Sequence, residues 1–288
     1  MNVERLMQWP FEDVVQTYTA RDSMLYALGI GLGQDPLDPA QLRFVYEGGD
    51  APAAFPTMAV VLGHPGMWTA DPATGIARAQ QVHGEQGIVI HRPLQPAGRL
   101  RGRTRVTGVV DKGAGRGALL YTERLLVDDE SGEPVATLSS TSFCRGDGGF
   151  GGPTGPVKPV HAIPDRSPDV VAHLPTLAQA ALIYRLSGDL NALHADPGYA
   201  AKAGFERPIL HGLCTFGIAA WAVLRECCGG DPAALRSFAA RFSAPVFPGE
   251  TITVELWRDG GTVSFRAWVS ARNARVLDNG KAEIATPD

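Results

Sequence analysis

The chain is short of several things, and each shortage removes a class of function. It has no excess of basic residues: 26 Lys and Arg stand against 30 Asp and Glu, for a net charge of −4. That balance leaves neither an electrostatic footprint for nucleic acid nor a polybasic patch for an anionic membrane surface. It has only four cysteines, Cys144, Cys214, Cys227 and Cys228, without metal-like spacing. Adjacent Cys227 and Cys228 are awkwardly placed to pair with each other, so reduced thiols in a cytosol-like compartment are expected. Long apolar runs are missing too, since the longest, near Ile218 to Leu224, is far too short to span a bilayer. Met1 to Pro10 lacks the sustained apolar region of a signal peptide, and the ending Ala285-Thr286-Pro287-Asp288 is not of the Ser-Lys-Leu type. No Gly-x-Ser-x-Gly elbow supports a serine nucleophile at Ser187. The glycines between Arg145 and Pro159 have no Gly-Lys-Ser/Thr ending, so they read as a linker rather than a phosphate cradle.

What remains is a 288-residue chain with an ordinary globular composition, 44% hydrophobic and 19% charged, long enough for one large or two modest cores. Strand-like alternation is expected at Gly87 to Leu94, Leu100 to Asp111, Ala118 to Asp128 and Pro134 to Cys144. After the linker a similar set follows at about Arg236 to Val246, Thr251 to Arg258, Thr262 to Arg272 and Val276 to Ile284. Each set is preceded by helical sequence. In the first half the period runs over Phe11 to Gly33, with Asp22 as the expected N-cap and Gly29, Gly31 and Gly33 as stops. Leu37 to Glu47 is mixed, Gly48 to Pro52 reads as a loop, and Phe55 to Leu62 is strand or buried helix by periodicity alone. In the second half the run from Leu213 to Val223 is apolar nearly all round, which suits a helix enclosed by sheet, and Gly229-Gly230 ends it. The pattern points to duplication of one helix-plus-antiparallel-sheet unit, an α+β class.

The chemistry-bearing stretch is Tyr184 to Cys228. Asp189, Asn191 and His194 lie within six residues, in a segment too rich in turn formers to be a stable helix. On a continuous helix Asp189 and His194 would stand about 140° apart around the axis. They converge only if the chain turns between them, as Gly188 and Asn191 favour. Asp196 reads as an N-cap with Pro197 at the first helical position and Gly204 as the stop. Gly212 stands where the apolar run begins, so its N–H is expected among the unpaired donors of a helix N-terminus. An acid/base pair beside such a donor can move a proton and hold a developing oxyanion. His194, His211 and Asp189 could also be read as zinc ligands, although thiolate and clustered carboxylate support is missing. The other five histidines, His64, His83, His91, His161 and His173, have no partner at ligand spacing and read as structural or surface residues.

Gly188-Asp189, Asn191, Leu193-His194, Asp196-Pro197 and Pro208-Ile209-Leu210-His211-Gly212-Leu213 closely resemble the motif of the MaoC-like, R-specific 2-enoyl-CoA hydratase family, hydratase 2. Ala192 departs from it, since the family usually has proline there, and the loop is expected to be looser for it. The resemblance implies a double hotdog, two curved antiparallel sheets each wrapping a central helix. Residues 1–145 would be a non-catalytic half that shapes the substrate channel, 146–160 a linker, and 161–288 the half with the active site. It further implies reversible hydration of trans-2-enoyl-CoA to (3R)-3-hydroxyacyl-CoA, with no cofactor and no metal. Asp189 and His194 would activate one water, Asn191 would orient the site, Gly212 N–H would polarise the thioester, and His211 would support the loop presenting it. In this reading Pro56 to Ala59 is a shortened counterpart of the later central helix, and Tyr18 to Asp22 stands where the second half has its motif. Two rivals stay open, an acyl-CoA thioesterase of hotdog type and a non-catalytic acyl-CoA binding protein. The expected partner is an acyl-CoA thioester, with a homodimer left open as the assembly, and the expected location is cytoplasmic.

Overall fold

The computed structural model describes residues 1–48 and 52–285. The loop expected at Gly48 to Pro52 and the C-terminal ending therefore lie partly outside the described residues. The first half runs α1 (Val3–Met7), β1 (Val14–Tyr18), α2 (Ala20–Gly29), α3 (Pro39–Val45), a 3-10 segment (Pro56–Val61), β2 (Gln81–Ile90), β3 (Gly98–Asp111), β4 (Ala118–Asp128) and β5 (Pro134–Cys144). The second runs β6 (Val170–Pro175), α4 (Ala180–Tyr184), two short 3-10 turns (Arg185–Ser187 and Ala192–His194), α5 (Pro197–Lys202), α6 (Gly212–Cys227), β7 (Leu235–Phe242), β8 (Thr251–Asp259), β9 (Thr262–Val269) and β10 (Ala274–Ile284).

All ten strands form one antiparallel sheet in the order β1-β3-β4-β5-β2-β7-β10-β9-β8-β6. Read from each edge inward, both halves follow the same path: first strand at the edge, then third, fourth, fifth, and the second at the seam. That shared order is the double hotdog, and it is the structural form of the duplication expected from sequence. The seam pairs Glu85 with Arg241 through Val89 with Ser237. There the Arg241 guanidinium donates to Glu85 at 2.7 and 3.0 Å, while Thr141 Oγ1 donates to the other carboxylate oxygen at 2.9 Å.

Helix α6 is enclosed as its composition demands, with every residue from Cys214 to Leu224 buried. The corresponding place in the first half holds only the 3-10 segment Pro56–Val61, the shortened counterpart expected. One hydrophobic core spans both halves, with Phe44 and Phe55 edge-on to Trp221 at 6.1 and 6.4 Å. Gly217 marks a tight crossing between the halves: a Cβ there would stand 2.7 Å from Ile30 Cγ2 and 3.1 Å from the Tyr26 hydroxyl. Residues between β5 and β6 carry no helix or strand, and the Asp111 carboxylate pins them by accepting the N–H groups of Gly149, Gly151 and Gly152.

Several expectations need correction. The helical period over Phe11 to Gly33 conceals β1, and the N-cap of α2 is Thr19 rather than Asp22. Asp22 is the N3 partner of a capping box, its carboxylate accepting Thr19 N–H at 2.8 Å and the hydroxyl at 2.7 Å. Strand β2 begins six residues before the expected Gly87 and ends at Ile90, and β7 stops at Phe242. The edge strand β6 had no expected counterpart. Placement after an edge strand makes α2 the partner of α4, so Gly29 to Gly33, not Tyr18 to Asp22, occupies the place of the motif loop. That stretch has no histidine, and the first amide and acid after it are Gln34 and Asp35.

Candidate active site

The motif loop is a series of tight turns held by its own polar side chains. Gly188 adopts φ +122°, a region that L side chains rarely enter, and so reverses the chain after α4. Asp189 accepts the Asn191 N–H at 3.1 Å, and Asn191 caps the next 3-10 turn by accepting Leu193 N–H at 3.1 Å. That turn ends on His194, which is 8% exposed. Its Nδ1–H donates to the Ile209 carbonyl at 2.8 Å, so Nε2 carries the lone pair. His211 is 1% exposed, donates through Nε2 to the Asp189 carbonyl at 3.1 Å, and leaves a buried Nδ1 without a partner. The turn thus achieves what a helix could not: polar atoms of Asp189, His194 and His211 come within 4.8 Å of one another.

Burial favours the neutral form of both rings. Burial pulls His194 below the ordinary imidazole range, against the opposing pull of the Ile209 carbonyl and the Asp189 charge. Burial, reinforced by His194, takes His211 down to about 4. The two rings stack with centroids 3.7 Å apart and planes 24° from parallel. A zinc ion would have to lie in the plane of each ring, about 2.0–2.1 Å from its nitrogen. Two nearly parallel rings share no such point, so this pair does not chelate one ion as arranged.

Gly212 is the first residue of α6, and its N-cap residue His211 makes no side-chain capping bond. The first bonds of the helix run from Cys214 and Thr215 N–H to the His211 carbonyl, leaving Gly212 and Leu213 N–H as the open donors of the helix start. Phe242 of β7 lies over this position, with two ring carbons 3.3 Å from where a Gly212 Cβ would be. The first half closes the opposite side: the His83 ring stands 4.8 Å from Phe242. His64 and His83 are both accessible, yet the surrounding protein pushes each to about 4, and the Asp189 charge acts on both in the opposing direction. His83 thus flanks the cleft through Phe242, and both histidines stay at the surface, as their lack of partners at ligand spacing suggested. Tyr184 links the halves behind the site, its ring 5.0 Å from His211 and 5.7 Å from Tyr26.

All four expected site residues thus meet in one place, with Asp189, Asn191 and His194 on the loop and Gly212 at the adjoining helix start. Sequence reasoning missed His83 and Phe242, which reach the site through the pairing of β2 with β7, a contact between the halves that leaves no local signal. Chemically, the cleft offers a carboxylate, a neutral imidazole acceptor and backbone donors around a common space, the parts needed to move a proton next to a carbon acid whose oxygen must be stabilised.

Comparison with known proteins gives the same kinship in each case. Residues 159–279 match the MaoC like domain, and residues 16–146 match the MFE-2 hydratase 2 N-terminal domain. The chain is 42% identical over 280 residues to 3-hydroxyacyl-thioester dehydratase Y of Mycobacterium tuberculosis, covering 94% of each chain. It is 39% identical over 290 residues to a peroxisomal enoyl-CoA hydratase 2 of Arabidopsis thaliana, covering 96% of this chain and 93% of that one. The crystal structure of a MaoC-like dehydratase from Phytophthora capsici superposes with a TM-score of 0.87 at 38% identity, over the full length of both chains. The chain belongs to the MaoC-like dehydratase family, in the double form that carries a hydratase 2 N-terminal domain, and is an enzyme of the hydratase–dehydratase type.

Proposed function

We propose that the enzyme interconverts trans-2-enoyl-CoA and (3R)-3-hydroxyacyl-CoA. The observation that carries this reading is the convergence of Asp189 and His194 beside the open N–H of Gly212. One water sits between the carboxylate and His194 Nε2. Its oxygen bonds to C3, the released proton passes to the pair, and a proton from the pair is delivered to C2. The sum is one water added across the double bond, so no redox partner enters the balance. Between these steps charge collects on the thioester oxygen, where Gly212 N–H donates to it. Asn191 fixes the loop by capping the turn that ends at His194. His211 braces that loop from below through the Asp189 carbonyl and the stacked ring. The (3R) outcome rests on the motif shared with R-specific hydratases.

The division of labour is part of the same proposal. Residues 161–288 carry the site, 146–160 connect, and 1–145 shape the channel, with no second Asp–His cluster among the described residues. Beside the short Pro56–Val61 segment lies a separate cavity of about 330 Å³ lined by Ala53, Ala59, Ile88, Leu94, Arg92 and Gln95, none of them a proposed catalytic residue. The test is product analysis after mixing the enzyme with trans-2-enoyl-CoA. Retained thioester with a new (3R)-hydroxyl supports hydration. Release of free CoA instead makes the protein a thioesterase, and tight binding with no product makes it a carrier.

A further inference from the structure

Arg124 is a cation that the proposed chemistry does not use. It sits in mid-strand on β4, is 8% exposed, and no acidic side chain is among the influences on it. Its Nη2 donates to the Val60 carbonyl at 2.6 Å, which places the guanidinium on the concave face of the sheet against the 3-10 segment. Its Nε is buried without a partner, while Nη1 makes no bond among the described residues and is not fully enclosed. Burial alone acts on the group, pulling it down to about 10.

A guanidinium taken out of water with no carboxylate beside it is costly and calls for an anion. One more unused donor stands beside it, and another follows the segment it holds. Thr104 is the direct cross-strand partner of Arg124, and its Oγ1 is likewise buried and unpartnered. His64 lies four residues past the Val60 carbonyl that Arg124 holds. His64 Nδ1 accepts the Gly66 N–H at 3.0 Å, so its proton is on Nε2, free to donate. Arg124 and Asp189 both act on His64 electrostatically, and its side chain is accessible. The Val60 carbonyl that Arg124 holds belongs to the 3-10 segment packed against α6, the helix that begins at Gly212.

We propose that Arg124, Thr104 and His64 form an anion subsite on the concave face of the first half, which receives a carboxylate at the far end of the substrate's acyl chain. The proposal rests on the acyl-thioester reading above. A slender chain ending in a carboxylate can approach a largely buried guanidinium, whereas the bulky, heavily hydrated nucleotide of CoA does not fit such a position. Bidentate pairing with Arg124 and a bond from Thr104 or His64 would satisfy the orphaned atoms at once. The enzyme would then select ω-carboxyacyl thioesters over methyl-ended chains of equal length.

The experiment compares trans-2-enoyl-CoA pairs of graded length, ending in methyl or in carboxylate, on wild type and Arg124→Gln. At the length that reaches the subsite, wild type should favour the carboxylate in kcat/KM by roughly 10–100-fold, the scale of a charge-assisted hydrogen bond. Arg124→Gln should erase that preference and leave methyl-ended substrates within about threefold. Calorimetric binding of the saturated analogues of both series to wild type runs alongside and needs no turnover. Carboxylate-dependent binding without any hydration would sink the hydratase reading and leave the subsite standing. Hydration with no carboxylate preference at any length overturns the subsite alone. So does an equal weakening of free CoA by Arg124→Gln, because the anion recognised would then be a phosphate. If Arg124→Gln fails to fold, Thr104→Val takes its place, and the wild-type comparison still decides.

Discussion

A methyl group added at Gly212 tests the geometry of the helix start. The backbone there does not require glycine, since Gly212 has no positive φ. The obstacle is steric: the new Cβ would lie 3.3 Å from two ring carbons of Phe242. Carbon contacts relax to about 3.5–4.0 Å, so the ring must give way by a few tenths of an ångström. Phe242 is only partly buried and leans on His83 at 4.8 Å and Phe216 at 6.4 Å, so it can move outward. Overpacking of this kind costs about 1–3 kcal/mol, and replacing glycine by alanine in a helix returns up to about 1. Gly212→Ala should therefore lose about 0–3 kcal/mol of stability. Turnover should suffer more, because the added carbon crowds the thioester approaching the Gly212 N–H. Loss of one oxyanion donor typically costs about 10²–10³ in kcat. Stopped-flow loss of enoyl absorbance, with urea unfolding on the same samples, separates the two effects. Gly212→Ala, Phe242→Leu should recover stability but not rate. Full recovery of rate would show that ring displacement, not intrusion at the donor, caused the loss, and the oxyanion assignment would be wrong.

Asp22→Ala should cost about 1 kcal/mol through the lost capping box and leave turnover per folded molecule unchanged, which urea unfolding and steady-state rates check together. Gly217→Ala should destabilise by about 1–3 kcal/mol, read from the urea midpoint, because its Cβ meets Ile30 and Tyr26 of the other half. Acid should weaken the fold through His211, whose native value of about 4 lies below the ordinary 6.5. The unfolded chain then binds the proton first, so this contribution is complete above about pH 6.5 and is lost as pH falls toward 4. The direction follows by linkage, since the native state binds that proton less readily than the unfolded chain. Unfolding titrations across that window should show the slope, and His211→Gln should flatten it. Asp189→Asn with His194→Gln should lose much less in kcat than the product of the single losses, since the two would act on one water.

The strands with clear alternation were legible in the sequence, and β4 and β5 fall on their expected bounds. The edge strands were not. β1 is five residues and runs directly into the cap of α2, so its alternation dissolves into the helical period that follows. The central helix was visible because burial on all sides needs an unbroken apolar run, and its first-half counterpart stayed ambiguous because six residues cannot show a period. The loop from Gly188 to His194 was readable because its contacts are local: each turn is closed by a side chain two residues away. His83 was not, because β2 reaches the site only by pairing with β7, where Glu85 and Arg241 are 156 residues apart. Arg124 shows the same limit, since a strand arginine looks like a solvent-facing residue until its neighbours are known.

The central claim is that Asp189 and His194 together perform a hydration. The most direct measurement is conversion of trans-2-enoyl-CoA to its 3-hydroxyacyl-CoA by wild type, Asp189→Asn and His194→Gln, with chiral analysis of the product and acyl-CoA affinity measured in parallel. Wild type should yield the (3R) product without added nucleotide or metal. Each variant should keep its fold and bind acyl-CoA while losing at least about 10²–10⁴ in rate, the usual contribution of general acid–base catalysis. Near-normal hydration by either folded variant, or none by wild type across short, medium and long chains, would contradict the claim.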